Sequence, residues 1–108
     1  MEVKVYLKTR ANNAYAEAIY DGTSFTVLPG GRISEDFAEH IQGGHKAKSF
    51  RENPEYVNEN GDIIKPCVFT SPSTASQFVM GRSTNGYMTW KVERKKSLGV
   101  FLKERGLR

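Results

Sequence analysis

The sequence predicts an α+β fold: a small, mostly antiparallel sheet, made of an N-terminal meander plus later strands, packed with two to three short helices. Three observations predict it. Within the first thirty residues, three short runs rich in apolar and β-branched side chains are divided by turn residues, the signature of consecutive strands. Two later segments, opening at Ser71 and Ser97, repeat their apolar residues at helical spacing. Finally, 108 residues with 38% hydrophobic and 26% charged side chains are enough for one buried core, and no repeat, linker or low-complexity stretch divides them, so residues 1–108 read as a single domain.

Taken in order, Val3, Val5 and Leu7 alternate with Lys4, Tyr6 and Lys8, a strand with one face in water. Asn12-Asn13 supplies a turn, Tyr15 to Tyr20 a second strand, Asp21-Gly22 another turn, and Phe25 to Leu28 a third strand that Pro29-Gly30-Gly31 stops. Ser34 is placed to cap a helix with Glu35 and Asp36 in its first turn and Phe37, His40 and Ile41 on one face, ended by Gly43-Gly44. Lys46 to Val57 contains Phe50, Tyr56 and Val57 but is interrupted by Asn53-Pro54, which favours a break with a new turn starting at Pro54. After the turn Asn60-Gly61-Asp62, the run from Ile63 to Phe69 reads as a strand that Pro66 pushes to a sheet edge.

The strongest local signal comes next. Ser71 stands at an N-cap, Pro72 at the first helical position, and Ala75, Phe78 and Val79 form an apolar face that Gly81 closes in a left-handed turn. Asn85-Gly86 reads as a tight turn into a strand from Tyr87 to Val92, with Met88, Trp90 and Val92 on the buried face and Tyr87 and Lys91 on the other. Ser97 then caps a last helix carrying Leu98, Phe101 and Leu102, ended by Gly106.

Charge and composition narrow the functional classes. Residues 1–81 hold 8 basic and 10 acidic side chains, whereas residues 82–108 hold 8 basic and 2 acidic ones, so the net charge of +4 comes entirely from the C-terminal quarter. Such asymmetry points to an anionic partner, against the plainer reading of a solvated surface. Cys67 is the single cysteine, which excludes an internal disulfide and suits a reducing compartment; inside a strand it reads as a buried, inert thiol. The N-terminus lacks the apolar core of a signal peptide and no apolar run approaches a membrane span, so a cytoplasmic location is expected.

Catalytic chemistry finds little support. His40 and His45 are spaced poorly for a ligand pair, the carboxylates follow no motif, and neither a P-loop nor a dinucleotide fingerprint occurs. No catalytic residue, metal or cofactor is therefore expected. One constellation carries chemistry: Arg82, Lys91, Arg94, Lys95 and Lys96 could converge on phosphates, with Tyr87 as an exposed ring for stacking. A weaker anion site is conceivable at Ser71, Ser73 and Thr74, whose hydroxyls stand at a helix N-terminus where capping alone also accounts for them.

The run from Phe69 to Lys91 also carries a resemblance. Its phenylalanine, the Ser71-Pro72-Ser73 start, Ala75, Gly81-Arg82-Ser83, Asn85-Gly86 and Trp90-Lys91 are similar to the pattern of the domain of unknown function family 4357. Upstream, Gly22, Phe25, Val27-Leu28 and Gly30 match the family's opening, so the resemblance covers roughly residues 15–102. Pro29-Gly30-Gly31 replaces the family's usual lysine-glycine-serine turn, and Ser76 one of its alanines. The resemblance implies an accessory domain of the kind often appended to GIY-YIG-type nucleases or to restriction and modification proteins, although here no nuclease or methylase motif accompanies it. The expected function is thus a non-catalytic, DNA-binding accessory domain, with DNA or another nucleic acid, and a nuclease or methylase protein, as partners. The alternative is a protein-interaction module or small homo-oligomer that docks by an exposed sheet edge.

Overall fold

The computed structural model of the chain describes residues 2–9, 13–37 and 45–107. Six strands form one antiparallel sheet: β1 (Val3–Lys8), β2 (Tyr15–Tyr20), β3 (Phe25–Val27), β4 (Cys67–Phe69), β5 (Lys91–Glu93) and β6 (Lys96–Ser97). Their order across the sheet is β4-β3-β2-β1-β5-β6, so the N-terminal strand is interior and its second neighbour arrives from near the C-terminus. Among the described residues there are four helices, α1 (His45–Glu52), α2 (Pro72–Met80), α3 (Gly86–Thr89) and α4 (Leu98–Glu104). No helix there is long and apolar enough to cross a membrane.

The meander follows from the alternation in its sequence. Val3, Val5 and Leu7 of β1, Ala16 and Ala18 of β2, Phe25 and Val27 of β3, and Cys67 and Phe69 of β4 are all buried, and their neighbours in each strand point away. Asp21 makes the β2–β3 turn by accepting from the Thr23 and Ser24 amides at 2.8 and 2.6 Å. The buried face receives the helices: Phe78 of α2 lies 5.4 Å from the Phe69 ring, and Phe50 of α1 packs edge-on against Phe69 and Tyr56.

α2 forms as its sequence requires. The Ser71 Oγ accepts from the Thr74 amide at 3.1 Å, Pro72 opens the helix, and Gly81 closes it in the left-handed region at φ 72°. Over its first turn lies the segment Asn85–Trp90. The indole Nε1 of buried Trp90 donates to the Pro72 carbonyl at 3.0 Å, and the Gly86 amide donates to Ser73 Oγ at 3.0 Å. A Cβ on Gly86 would stand 2.2 Å from the Pro72 carbonyl carbon, so only glycine permits this approach. The Trp90 ring also meets Phe25 of β3 at 4.9 Å, joining this lock to the sheet.

Four expectations are corrected. Asn85-Gly86 is not a hairpin turn: the Asn85 side chain accepts from the Tyr87 amide and caps α3, so residues 86–89 are helical and the strand is only Lys91–Glu93. Met88 therefore does not share the face of Trp90; it is 67% exposed, while the helical turn carries Tyr87 partly into the core. Ser34 does not cap a helix, because its hydroxyl donates to the Met80 carbonyl at 2.8 Å and residues 34–37 are not helical; His40, Ile41 and Gly43-Gly44 lie outside the described residues, as does Asn12. The strand expected from Ile63 shortens to Cys67–Phe69, since Ile63 pairs instead with Val57 across a hairpin and Ile64 to Pro66 break the ladder. β4 is nonetheless an edge strand, in keeping with Pro66.

Unlooked for is α1, an eight-residue helix that buries only Ala47 and ends at Asn53-Pro54. Its Arg51 holds the non-helical segment in place: the guanidinium donates to the Ser34 carbonyl, Ser34 Oγ and the Asp36 carbonyl, and stacks over Phe37. Burial pushes its pKa down to about 10, which leaves it charged at any ordinary pH.

Two stability measurements probe the lock. Trp90→Phe keeps a ring but loses the indole hydrogen bond to the Pro72 carbonyl and part of the buried packing, at a cost of about 1–3 kcal/mol; Gly86→Ala, which forces α3 off α2, should cost a similar amount, about 1–3 kcal/mol. Each should lower the thermal midpoint by several degrees, and midpoints equal to wild type would show that the contact contributes nothing. Cys67 offers a third test, because burial pushes its thiol up to about 12. Native protein at pH 8 should resist a thiol reagent that reacts at once in denaturant; rapid native labelling would contradict the burial.

Candidate nucleic-acid interface

The basic C-terminal residues are placed by a hairpin. Leaving the Trp90 lock, the chain runs into β5, turns at Arg94-Lys95 and returns as β6, with a register shift between Lys91 and Glu93. Ser97 then caps α4 by accepting from the Val100 amide, and Leu98 and Leu102 bury against the core. Tyr6 of β1 is the registered partner of Lys91, so the hairpin extends the sheet beside β1.

The six sequence-predicted contact residues divide among distinct settings. Arg94 and Lys95 are exposed at the hairpin tip and make no ion pair with another described residue. Lys91 is half-buried, its Nζ donating to the Met88 carbonyl at 2.8 Å, which holds the ammonium beside the hairpin. Lys96 is already neutralised by Glu104 at 2.9 Å and Glu93 at 3.4 Å; its hydrogen bond and charge attraction to Glu104, then to Glu93, raise its pKa. Tyr87 is partly buried against the core, so it is not the exposed stacking ring expected.

Arg82 does not join them. It follows α2 at its C-terminal end, whereas the chain reaches the hairpin from Gly86 at the N-terminal end, about 13 Å away along a nine-residue helix. Arg82 instead lines an open recess with Arg32, Arg51, Glu35, Asp36 and Asn58, where charges of both signs mix. Of the five basic residues expected to converge, Lys91, Arg94, Lys95 and Lys96 lie on the hairpin, Lys96 in ion pairs, and Arg82 lies apart from it.

At the weaker candidate, Ser71 Oγ and Thr74 Oγ1 are 3.0 Å apart and Ser73 Oγ accepts from Gly86, so all three hydroxyls are engaged within the protein. No group of three or more metal-ligating side chains occurs among the described residues.

Residues overlooked in the sequence lie on the sheet's outer face, which carries none of the buried strand residues. Tyr6 and Tyr15 are 37% and 40% exposed there. The registered pairs Tyr6↔Glu17 and Lys8↔Tyr15 make them diagonal neighbours, and Lys4 pairs with Glu17 at 2.8 Å. Period-two alternation already assigned Tyr6 to the solvent face; what the sequence did not show is that β5 lies next to β1, bringing Lys91 alongside that tyrosine.

No curated protein and no solved structure matches the chain. A family model does, over residues 5–101, and it spans both the meander and the whole of the Ser71–Trp90 lock. The chain belongs to the domain of unknown function family DUF4357.

Proposed function

We propose that this domain is a non-catalytic accessory module that binds nucleic acid through the β5–β6 hairpin. The observation that carries the reading is the exposed pair Arg94-Lys95 at the hairpin tip beside Lys91, a group of cations within the C-terminal charge excess that no ion pair with a described residue offsets. Such side chains neutralise phosphates and release counterions, so affinity should be strongly dependent on salt. In this reading the domain works in the cytoplasm, on DNA or another nucleic acid, beside a nuclease or methylase protein of the restriction and modification type. It recognises or positions, and its partner performs the chemistry.

A second reading, docking onto another protein, draws on one feature. β4 is a sheet edge, and Val68 on it and Ile64 before it are 48% and 50% exposed. An apolar, unpaired edge of this kind accepts a further strand. The opposite edge, β6, is only two residues long and carries Lys96, which discourages pairing.

Binding of labelled DNA and RNA at two salt concentrations tests the first reading. Wild type should bind at low salt and lose affinity steeply as salt rises. The double variant Arg94→Glu/Lys95→Glu should bind at least about tenfold more weakly, because two phosphate contacts become repulsions. Equal binding by wild type and variant, or none by wild type at low salt, would overturn it, and a dimer in light scattering that Val68→Lys dissociates would favour the second.

A further inference from the structure

The open face of the sheet offers something the hairpin lacks, a place for a flat ring. A shallow cleft of about 420 Å³ lies between Tyr6 and Tyr15, bordered by Lys8, Glu17 and the Pro29–Gly31 turn. Neither phenol has a ring or hydrogen-bond partner among the described residues. Diagonal neighbours on a sheet face stand roughly 7–8 Å apart at their backbones, within reach of aromatic side chains, so both rings can flank a flat group in the cleft.

Charge of both signs borders the cleft, with Glu17 and Lys91 standing in register on either side of Tyr6. Lys8 is the registered partner of Tyr15 on one side, and Lys91 is the registered partner of Tyr6 on the other. Lys4 is paired with Glu17, but Lys8 forms no ion pair with a described residue. Beyond Lys91 the same strand leads to Arg94 and Lys95. A ligand that crossed from Tyr15 over Tyr6 to the hairpin would therefore meet rings and cations in succession.

We infer that the open sheet face, with Tyr6 and Tyr15 stacking bases and Lys8 and Lys91 meeting phosphates, binds single-stranded nucleic acid. The inference rests on the hairpin reading and adds the substrate class to it. In a duplex the base faces are stacked and unavailable to tyrosines, whereas a single strand offers base faces and phosphates together. Every base has a face that can stack on a tyrosine, so binding should tolerate sequence.

The test compares labelled fifteen-nucleotide oligo(dT), oligo(U) and a mixed duplex at one low salt concentration, using wild type, Tyr6→Leu, Tyr15→Leu and the two phenylalanine variants. Single strands should bind more tightly than duplex. Each leucine variant should lose on the order of tenfold in single-strand affinity, while each phenylalanine variant, which keeps the ring, should bind like wild type. The ratio of dT to U affinity then separates DNA from RNA as the source of the strand. Ring resonances of Tyr6 and Tyr15 in wild type should shift on titration with oligo(dT), a readout that holds even if a leucine variant unfolds. Duplex binding as tight as single-strand binding, leucine variants with wild-type affinity, or unmoved tyrosine rings would overturn the inference. If Arg94→Glu/Lys95→Glu still weakened binding in that case, the hairpin reading would survive alone; absence of binding to any probe would end both. A dimer that Tyr6→Leu dissociates would reassign the face to a second copy of the chain.

Discussion

The hydrogen bond from the Trp90 indole to the Pro72 carbonyl is the constraint on which the C-terminal half of the fold depends. It joins the first turn of α2 to the end of α3 in the interior, where an unpaired indole N–H or carbonyl would be costly. Gly86 makes the approach possible, Ser73 accepts its amide, and Phe25 receives the indole ring. The family-typical elements around Ser71-Pro72-Ser73, Asn85-Gly86 and Trp90 are thus the parts of one buried junction, and their chemistry is spent on structure. Within it, the Ser71, Ser73, Asn85 and Trp90 side chains are all engaged inside the protein.

What the junction does supply is position. From Trp90 the chain runs beside β1, where Lys91 comes into register with Tyr6. Two features far apart in sequence, the solvent face of the first strand and the basic residues near the C-terminus, become one surface. The helices pack on the other side of the sheet, which leaves the outer face open. Charge pairing then engages some of the cations, since Lys4 and Lys96 serve ion pairs and Arg51 anchors a loop, and Arg94, Lys95 and Lys8 are among those left exposed.

Much of this was legible in the residues alone, where local chemistry allowed a single answer. The meander followed from alternation, and the starts of α2 and α4 from Ser71-Pro72 and Ser97. Asn85-Gly86 misled because asparagine before glycine suits a hairpin turn and a helix N-cap equally well, and only the close approach to Pro72 decides between them. α1 was missed because it buries little beyond Ala47 and part of Phe50, so its apolar period is faint; an arginine contact to a distant loop gives its location meaning. The site was less legible than the fold. Which cations are free, and which aromatic lies near them, depends on the non-local pairing of β1 with β5 and on ion pairs such as Lys96 with Glu104.

The interior place of β1 has a consequence for how the chain comes off a ribosome. Its first edge is paired as soon as β2 emerges, but its second stays bare until β5 has been made, after most of the chain is outside. Through that interval a strand with Val3, Val5 and Leu7 along one side presents unpaired backbone groups to any passing chain. Lys4 and Lys8, exposed on its other side, put charge beside this waiting edge, and charge of that kind discourages pairing with the wrong chain.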